Sequence, residues 1–249
     1  MLGLPAGVTV CLFDLDGVLT QTAKVHAAAW KQMFDGYLRE RAQRTGEPFV
    51  AFDAVAEYDE FVDGKPRYEG VLSFLSSRNI ELPRGEPSDS PDAQTVDGLG
   101  NRKNEIVLRM IQEDGVQAYD GSVRYVRAVR DAGMHRAVVS SSTNCADVLL
   151  AAGIADLFEE RIDGIVAERE HLKGKPAPDT FLAGARALGV EPARAAVFED
   201  ALAGVAAGAA GSFGCVVGVD RAGQAQALRE HGADIVVGDL AELLETSPQ

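Results

Sequence analysis

The residues able to do chemistry sit where apolar runs end. Val8 to Phe13 stops at Asp14-Leu15-Asp16-Gly17. Read as a short buried strand of a parallel α/β sheet, it delivers Asp14 and Asp16 to the carboxyl end, where such sheets bind ligands. Alternation along an extended chain aims both carboxylates the same way, and Gly17 supplies a turn that many side chains disfavour. Two carboxylates held together call for a divalent metal, a shared proton or a cationic partner. Taken alone, the pair fits a turn or a helix cap equally well.

Three further stretches are of the same kind. Ala137-Val138-Val139 runs into Ser140-Ser141-Ser142-Thr143-Asn144. That segment offers an anion hydroxyls, an amide and the free N–H groups of a following helix; its residues are also ordinary N-caps. Lys173-Gly174-Lys175-Pro176-Ala177-Pro178-Asp179 is stiffened by its prolines, with Asp179 able to cap the next helix. Either its lysines are solvated, or one is a fixed positive charge between a carboxylate and a phosphate. Ala195–Phe198 ends in a second acidic pair, Glu199-Asp200. Two acidic pairs at two strand ends make an oxygen-rich site suited to Mg²⁺, which keeps waters and pairs with substrate phosphate.

The elements that position these residues follow from pattern. Residues 22–44 carry Trp30, Met33, Phe34, Tyr37 and Leu38 at helical spacing. Asp53–Val62 reads as a second helix, Gly64 to Arg67 as a turn bearing Lys65 and Arg67, Tyr68–Ser76 as a third helix and Asn101–Gln112 as a fourth. Pro83 to Gly100, rich in Gly, Pro and Ser, reads as a long loop. From residue 117 helix and strand alternate. The strands are expected at Arg136–Ser140, Asp163–Val166, Ala195–Phe198, Gly214–Val219 and Ile235–Val237. The helices are expected at Ser122–Ala132, Asn144–Ala152, Asp179–Leu188 and Ala201–Ala210. This predicts an α/β fold, a Rossmann-like parallel-sheet core with an inserted all-helical domain. The core takes residues 1–20 and 118–249, and the helical insertion takes 21–117. The connections near Thr20–Thr22 and Gln117–Gly121 are natural hinges for a cap over the strand ends.

Composition narrows the class. A net charge of −14 argues against a nucleic-acid partner. No apolar segment is long enough to cross a bilayer, and the N-terminus has neither the basic region nor the apolar length of a secretory signal. Cys11, Cys145 and Cys215 lack metal-type spacing and read as buried small hydrophobes in a reducing compartment. The expectation is a cytoplasmic protein without a membrane or nucleic-acid partner.

The ordered set Asp14-Leu15-Asp16-Gly17-Val18, Ser140, Lys175-Pro176-Ala177-Pro178-Asp179 and Glu199-Asp200 resembles the haloacid dehalogenase superfamily of phosphotransferases. The helical insertion looks like that superfamily's type-one cap. Within it the chain is most similar to the β-phosphoglucomutase group, through Thr22-Ala23-Lys24-Val25-His26 with Ala29-Trp30-Lys31, the Gly64 to Arg67 turn, Arg102-Lys103-Asn104, Ser140 to Asn144, and Phe198-Glu199-Asp200-Ala201 with Gly204. The resemblance implies a Mg²⁺-dependent enzyme of carbohydrate metabolism acting on a small sugar phosphate, as a monomer. Asp14 would be the nucleophile that becomes an aspartyl phosphate and Asp16 the acid–base residue. Asp14, the Asp16 carbonyl, Glu199 and Asp200 would hold Mg²⁺. Ser140 and Lys175 would bind the transferring phosphoryl group. Ser142, Asn144 and Arg67, with Gly64 in its turn, would hold the second phosphate, and His26 and Lys103 would steady the sugar. Trp30 is expected to pack within its helix.

The implied reaction interconverts β-glucose 1-phosphate and glucose 6-phosphate through glucose 1,6-bisphosphate. A phosphatase with the same aspartyl phosphate is the alternative hydrolase reading, and a non-catalytic phosphosugar-binding module a third. Thr143 and Asp63 stand where resembling proteins often carry basic residues, and the Pro83 to Gly100 loop is extra; these departures bear on the choice of sugar.

Overall fold

Val10–Phe13 (β1) is a run of four residues without exposed surface, as expected of a parallel strand covered on both faces. It lies at the middle of the sheet in the computed structural model, which describes residues 2–245. Met1 and residues 246–249, expected to belong to the core, lie outside the described residues. The other strands are His135–Val139 (β2), Glu160–Ile162 (β3), Ala195–Glu199 (β4), Cys215–Val219 (β5) and Ile235–Val237 (β6). All pair in parallel in the order β3-β2-β1-β4-β5-β6. Chain order reverses direction around β1, and the crevice beyond its carboxyl end is where this topology binds ligands.

Two compact units divide the chain. One contains the sheet and takes the chain up to Gln21, Gly64–Pro66, and the chain from Val116 onward. Its helices are Asp120–Asp131, Cys145–Ala151, Gly164–Arg169, Asp179–Ala187, Leu202–Ala210, Ala225–Glu230 and Glu242–Glu245. The other unit takes Thr22–Asp63 and Arg67–Gly115, with helices at Ala23–Thr45, Arg67–Ser77 and Val96–Asp114. In chain order these ten helices are α1 to α10, so that α1–α3 are the helical unit's and α4–α10 the sheet unit's. Of the four crossings between the units, the first and last start from neighbouring segments of the sheet unit: Gln21 N–H donates to the Gln117 carbonyl at 2.8 Å and Tyr119 N–H to that of Leu19 at 2.9 Å.

The helical unit has its own aromatic core. Trp30 stacks on Phe34 at 5.2 Å, Phe34 meets Phe74 at 4.1 Å, and Phe52 closes on Phe34 and Phe74. Trp30 is thus a packing residue, as its spacing predicts. Asp35, buried on α1, accepts the Phe52 N–H at 2.8 Å, while Lys31 Nζ pairs with Asp35 and donates to the Phe52 carbonyl. That tie brings the extended segment after Gly46 back onto the helix.

Several expected elements shift. Asp53–Val62 is not an α-helix: Asp53 accepts the Val55 and Ala56 N–H groups as an N-cap does, but the segment that follows closes as one π-helical turn, Tyr58–Val62. The Pro83 to Gly100 loop is shorter than expected: α3 starts at Val96, capped by Thr95 Oγ1 accepting the Gly98 N–H at 2.9 Å. Arg67 is the first residue of α2, not a turn residue. Asp163–Val166 is not a strand. Asp163 accepts the Ile165 and Val166 N–H groups and caps α6, and the strand lies just before it. The three cysteines are free and buried, and burial pushes the Cys215 thiol up to about 11. No helix among the described residues is long and apolar enough to cross a membrane.

Candidate active site

Parallel register brings the two acidic motifs to one level. Phe13 of β1 lies opposite Phe198 of β4, their rings stack at 4.4 Å, and Asp14 N–H donates to the Phe198 carbonyl at 2.9 Å. Asp14 and Glu199 therefore leave adjacent strands side by side. Lys175 stands between them, 1% exposed: its Nζ donates to Asp14 Oδ1 and to Glu199 Oε1, each at 2.5 Å, and lies 4.9 Å from the Phe181 ring centroid. Glu199 Oε2 accepts the Ala201 N–H at 2.9 Å.

Two glycines make room for the acids. A Cβ on Gly204 would fall 1.8 Å from Glu199 Oε1, and one on Gly17, whose φ is +79°, would fall 1.7 Å from Asp200 Oδ2. No side chain larger than hydrogen fits at either place with the carboxylates where they are. Asp14, Glu199 and Asp200 each offer an oxygen within 4.8 Å of the others. Asp16 lies beyond the strand in the turn that bridges to Thr20, close enough to add to the negative potential at Asp14.

The charges do not balance within this cluster. Burial pushes the Asp14 carboxyl well above the usual carboxylate range; Lys175 opposes that, and Glu199 and Asp16 add to it. Burial works to lower the Lys175 ammonium, but Asp14 and Glu199 outweigh it and hold it up, so it stays charged. One ammonium among several carboxylates leaves excess negative charge. A divalent cation on the Asp14, Glu199 and Asp200 oxygens would offset it, so an all-oxygen donor set of this kind fits the metal that the sequence implies.

The Ser140–Asn144 loop after β2 is ordered by its own hydroxyls. Ser140 is buried, with its N–H on the Ile162 carbonyl at 2.9 Å. Ser140 Oγ accepts the Ser142 N–H and Ser142 Oγ the Asn144 N–H, both at 3.1 Å. The Ser142 and Asn144 N–H groups are therefore taken within the loop. Asn144 stands at the N-cap of α5 without a side-chain capping bond. Ser141 Oγ donates to the Gly64 carbonyl at 2.8 Å, which ties the Gly64–Pro66 turn into the sheet unit. Asp179 does not cap α7: it is that helix's first residue, and its carboxylate accepts the Lys173 N–H at 3.2 Å, bracing the lysine loop instead.

The remaining expected residues belong to the helical unit. His26 on α1 and Lys103 on α3 meet, Nδ1 to Nζ, at 2.7 Å. Lys103 is buried, its Nζ 5.0 Å from the Trp30 ring centroid. Arg67 Nη2 donates to Tyr68 Oη at 2.9 Å, while its buried Nε has no hydrogen-bond partner among the described residues. Arg221 and Gln224, in the loop after β5, carry no signal in the sequence, although Arg221 donates to the Gly17 carbonyl at 2.9 Å and Gln224 to that of Asp200 at 3.1 Å. No spacing rule marks a side chain whose partners are main-chain atoms of distant segments.

Similar proteins share this geometry's sequence and fold. The family model described as haloacid dehalogenase-like hydrolase matches residues 8–211, from the start of the sheet through α8. A β-phosphoglucomutase of Mycobacterium bovis is 59% identical over 247 residues, 98% of this chain and 94% of that protein. A β-phosphoglucomutase of Bacillus subtilis is 32% identical, with 93% of this chain and 90% of that protein covered. Among solved structures, a β-phosphoglucomutase of Clostridium difficile superposes with a TM-score of 0.73 at 26% identity, covering 95% of this chain and 93% of that one. With its acidic motifs at the carboxyl ends of β1 and β4, the chain belongs to the haloacid dehalogenase-like hydrolase family, in its β-phosphoglucomutase-like group.

Proposed function

We propose that this chain is a Mg²⁺-dependent β-phosphoglucomutase that interconverts β-glucose 1-phosphate and glucose 6-phosphate, as a monomer in the cytoplasm. The observation that carries the reading is Asp14 paired with the buried Lys175 at the sheet's switch point, in a chain so similar over its length to β-phosphoglucomutases.

An Asp14 oxygen attacks phosphorus as the bond to the sugar oxygen breaks, and that oxygen takes its proton from Asp16. With glucose 1,6-bisphosphate as donor through its C1 phosphate, this step releases glucose 6-phosphate. The 6-hydroxyl of an incoming β-glucose 1-phosphate then attacks the aspartyl phosphate, gives its proton to Asp16 and frees Asp14, and the glucose 1,6-bisphosphate so formed turns round to present its C1 phosphate to Asp14. Lys175 and Ser140 offset charge on the transferring oxygens, since phosphoryl transfer is catalysed chiefly by positioning and electrostatics. Mg²⁺ held by Asp14, the Asp16 carbonyl, Glu199 and Asp200 would add positive charge beside that group. Arg67, with Ser142 and Asn144, holds the second phosphate, for which a guanidinium's bidentate fork is suited. The turn at Gly64 presents Arg67. His26 and Lys103 serve the sugar, and their mutual contact supports a fixed placement.

The test is turnover of the two anomers of glucose 1-phosphate, with and without glucose 1,6-bisphosphate. Conversion of the β anomer to glucose 6-phosphate, dependent on the bisphosphate, is the expected result. Release of inorganic phosphate in its place would favour the phosphatase reading. Failure to form a phosphoenzyme from acetyl phosphate would favour a binding module.

A further inference from the structure

We propose that Arg221 is a positioning residue for Asp16: it anchors the main chain of the turn that follows Asp16 and so sets where that carboxyl meets the sugar oxygen. The inference rests on the proposed role of Asp16 as proton donor.

Arg221 uses its whole guanidinium. Nε donates to the Gly17 carbonyl at 2.9 Å. Nη1 donates to the Gly238 carbonyl at 2.7 Å and pairs with Asp239 Oδ2 at 3.3 Å. Nη2 reaches Ser122 Oγ at 3.4 Å, and Ser122 Oγ in turn donates to the Val18 carbonyl at 2.6 Å. The flat face lies 3.7 Å from the Tyr119 ring centroid. The Gly17 and Val18 carbonyls are therefore both taken by one cluster, built from the loop after β5, the end of β6 and the start of α4. Gly121 lets the cluster close: a Cβ there would fall 1.7 Å from Asp239 Oδ1.

The same loop holds the second acidic motif. Asp220 Oδ1 accepts the Gly223 and Gln224 N–H groups at 2.7 and 2.8 Å, which fixes the loop's shape. Gln224 Nε2 then donates to the Asp200 carbonyl at 3.1 Å. Gly17 and Asp200 approach too closely for any Cβ between them, so their spacing depends on both main chains being held. Arg221 grips one and Gln224 the other. Lysine cannot replace Arg221, because a single ammonium cannot reach the Gly17 and Gly238 carbonyls from a fixed fork while stacking on Tyr119.

The experiment compares two rates in the full chain for the wild type, Arg221→Ala and Arg221→Lys, each at Mg²⁺ saturating for that protein, because the same turn carries the Asp16 carbonyl proposed for the metal. One is phosphoenzyme formation from acetyl phosphate, whose acetate leaves without needing a proton. The other is conversion of β-glucose 1-phosphate with glucose 1,6-bisphosphate present, which needs the Asp16 proton. A misplacement of about 1 Å at a reacting group costs about 10²-fold, so sugar turnover should fall by about that factor in both variants while acetyl phosphate labelling stays near wild type. Added ethylguanidinium should restore part of the lost turnover of Arg221→Ala, and ethylammonium should not. Equal losses on both substrates would make Arg221 a general structural residue and overturn the proposal, as would wild-type sugar turnover in either variant. Should Arg221→Ala not fold, Arg221→Lys, which keeps the stem and the charge, carries the comparison. If the wild type itself hydrolyses sugar phosphate rather than isomerising it, the mutase reading fails separately, and the same ratio is read on hydrolysis.

Discussion

Lys175 holds Asp14 and Glu199 at once, and this sets what each substitution at the cluster should do. Asp14→Asn removes the proposed nucleophile, so phosphoenzyme formation and sugar turnover should vanish together; turnover well above background in that variant would contradict the proposed mechanism. The same variant carries a stability signature. The Asp14 carboxyl is pushed up in the folded protein, so the folded state holds its proton more tightly than the unfolded one. The stability it contributes is fully present below the unfolded value of about 4 and is lost as pH rises through the folded value. Asparagine has no such proton to lose. In protein stripped of metal, the Tm of Asp14→Asn should therefore gain on the wild type as pH rises from about 4 towards neutrality, by about 2–4 °C for each 1 kcal/mol in a chain of this size. Melts across that range in chelator test it, and a constant difference would contradict it. Asp16→Asn should differ: a loss of about 10²–10⁴-fold in sugar turnover, as for a general acid–base group, with Mg²⁺ affinity kept in calorimetry. At this scale the sequence is informative wherever an acid interrupts an apolar run, as at Asp14 and Glu199. It is silent on what Gly204 does, because that residue acts by leaving space, and on Gln224, whose partner is a main-chain atom.

Helices and strands are legible where apolar periodicity is strong, and composition misleads where glycine and proline are involved. Composition puts Gly98 and Gly100 in a loop, yet both lie inside α3. The reason is packing: a Cβ on Gly98 would fall 2.5 Å from the Ala93 carbonyl oxygen, and one on Gly100 2.7 Å from the Tyr68 ring. These are close-approach glycines, which a single sequence does not separate from turn formers. Gly36 in α1 is the contrast, with nothing within 4 Å of where its Cβ would stand. Gly36→Ala should therefore stabilise the protein by about 0.5–1 kcal/mol, the gain in helix propensity. Gly98→Ala should destabilise it by about 1–3 kcal/mol, the usual range for overpacking, despite the same gain in propensity. Urea unfolding of both variants decides the matter, and equal shifts of one sign would refute the packing account. The strand expected at Asp163 fails for a similar reason: the apolar Ile165 and Val166 follow a carboxylate that caps, and a cap outweighs a short apolar run.

At the scale of the whole molecule, the switch from helix-only to alternating pattern near residue 117 is visible because parallel strands are apolar runs of distinct length. The return of Gly64–Pro66 to the sheet unit is not, because it rests on one carbonyl taken by Ser141 and on close packing of Gly64 with Ala201. Arg67 follows directly on that turn, as the first residue of α2. A mutase must bind a bisphosphate in two orientations, so it needs a second phosphate site away from Asp14, whereas hydrolysis of a monophosphate does not. Arg67 is suited to such a site, since its guanidinium is anchored by Tyr68 Oη at 2.9 Å and keeps a buried Nε without a partner among the described residues. Each hydrogen bond to a charged group is worth about 1.5–3 kcal/mol, so losing one to two such bonds should lower mutase turnover of Arg67→Ala by about 10²-fold. Phosphoenzyme formation from acetyl phosphate, which has no second phosphate, should stay near wild type. A side-by-side comparison of β-glucose 1-phosphate with the bisphosphate against acetyl phosphate reads the difference. Equal losses on both would reduce Arg67 to a packing partner of Tyr68, and no loss on either would remove it from the site and shift the balance towards hydrolysis.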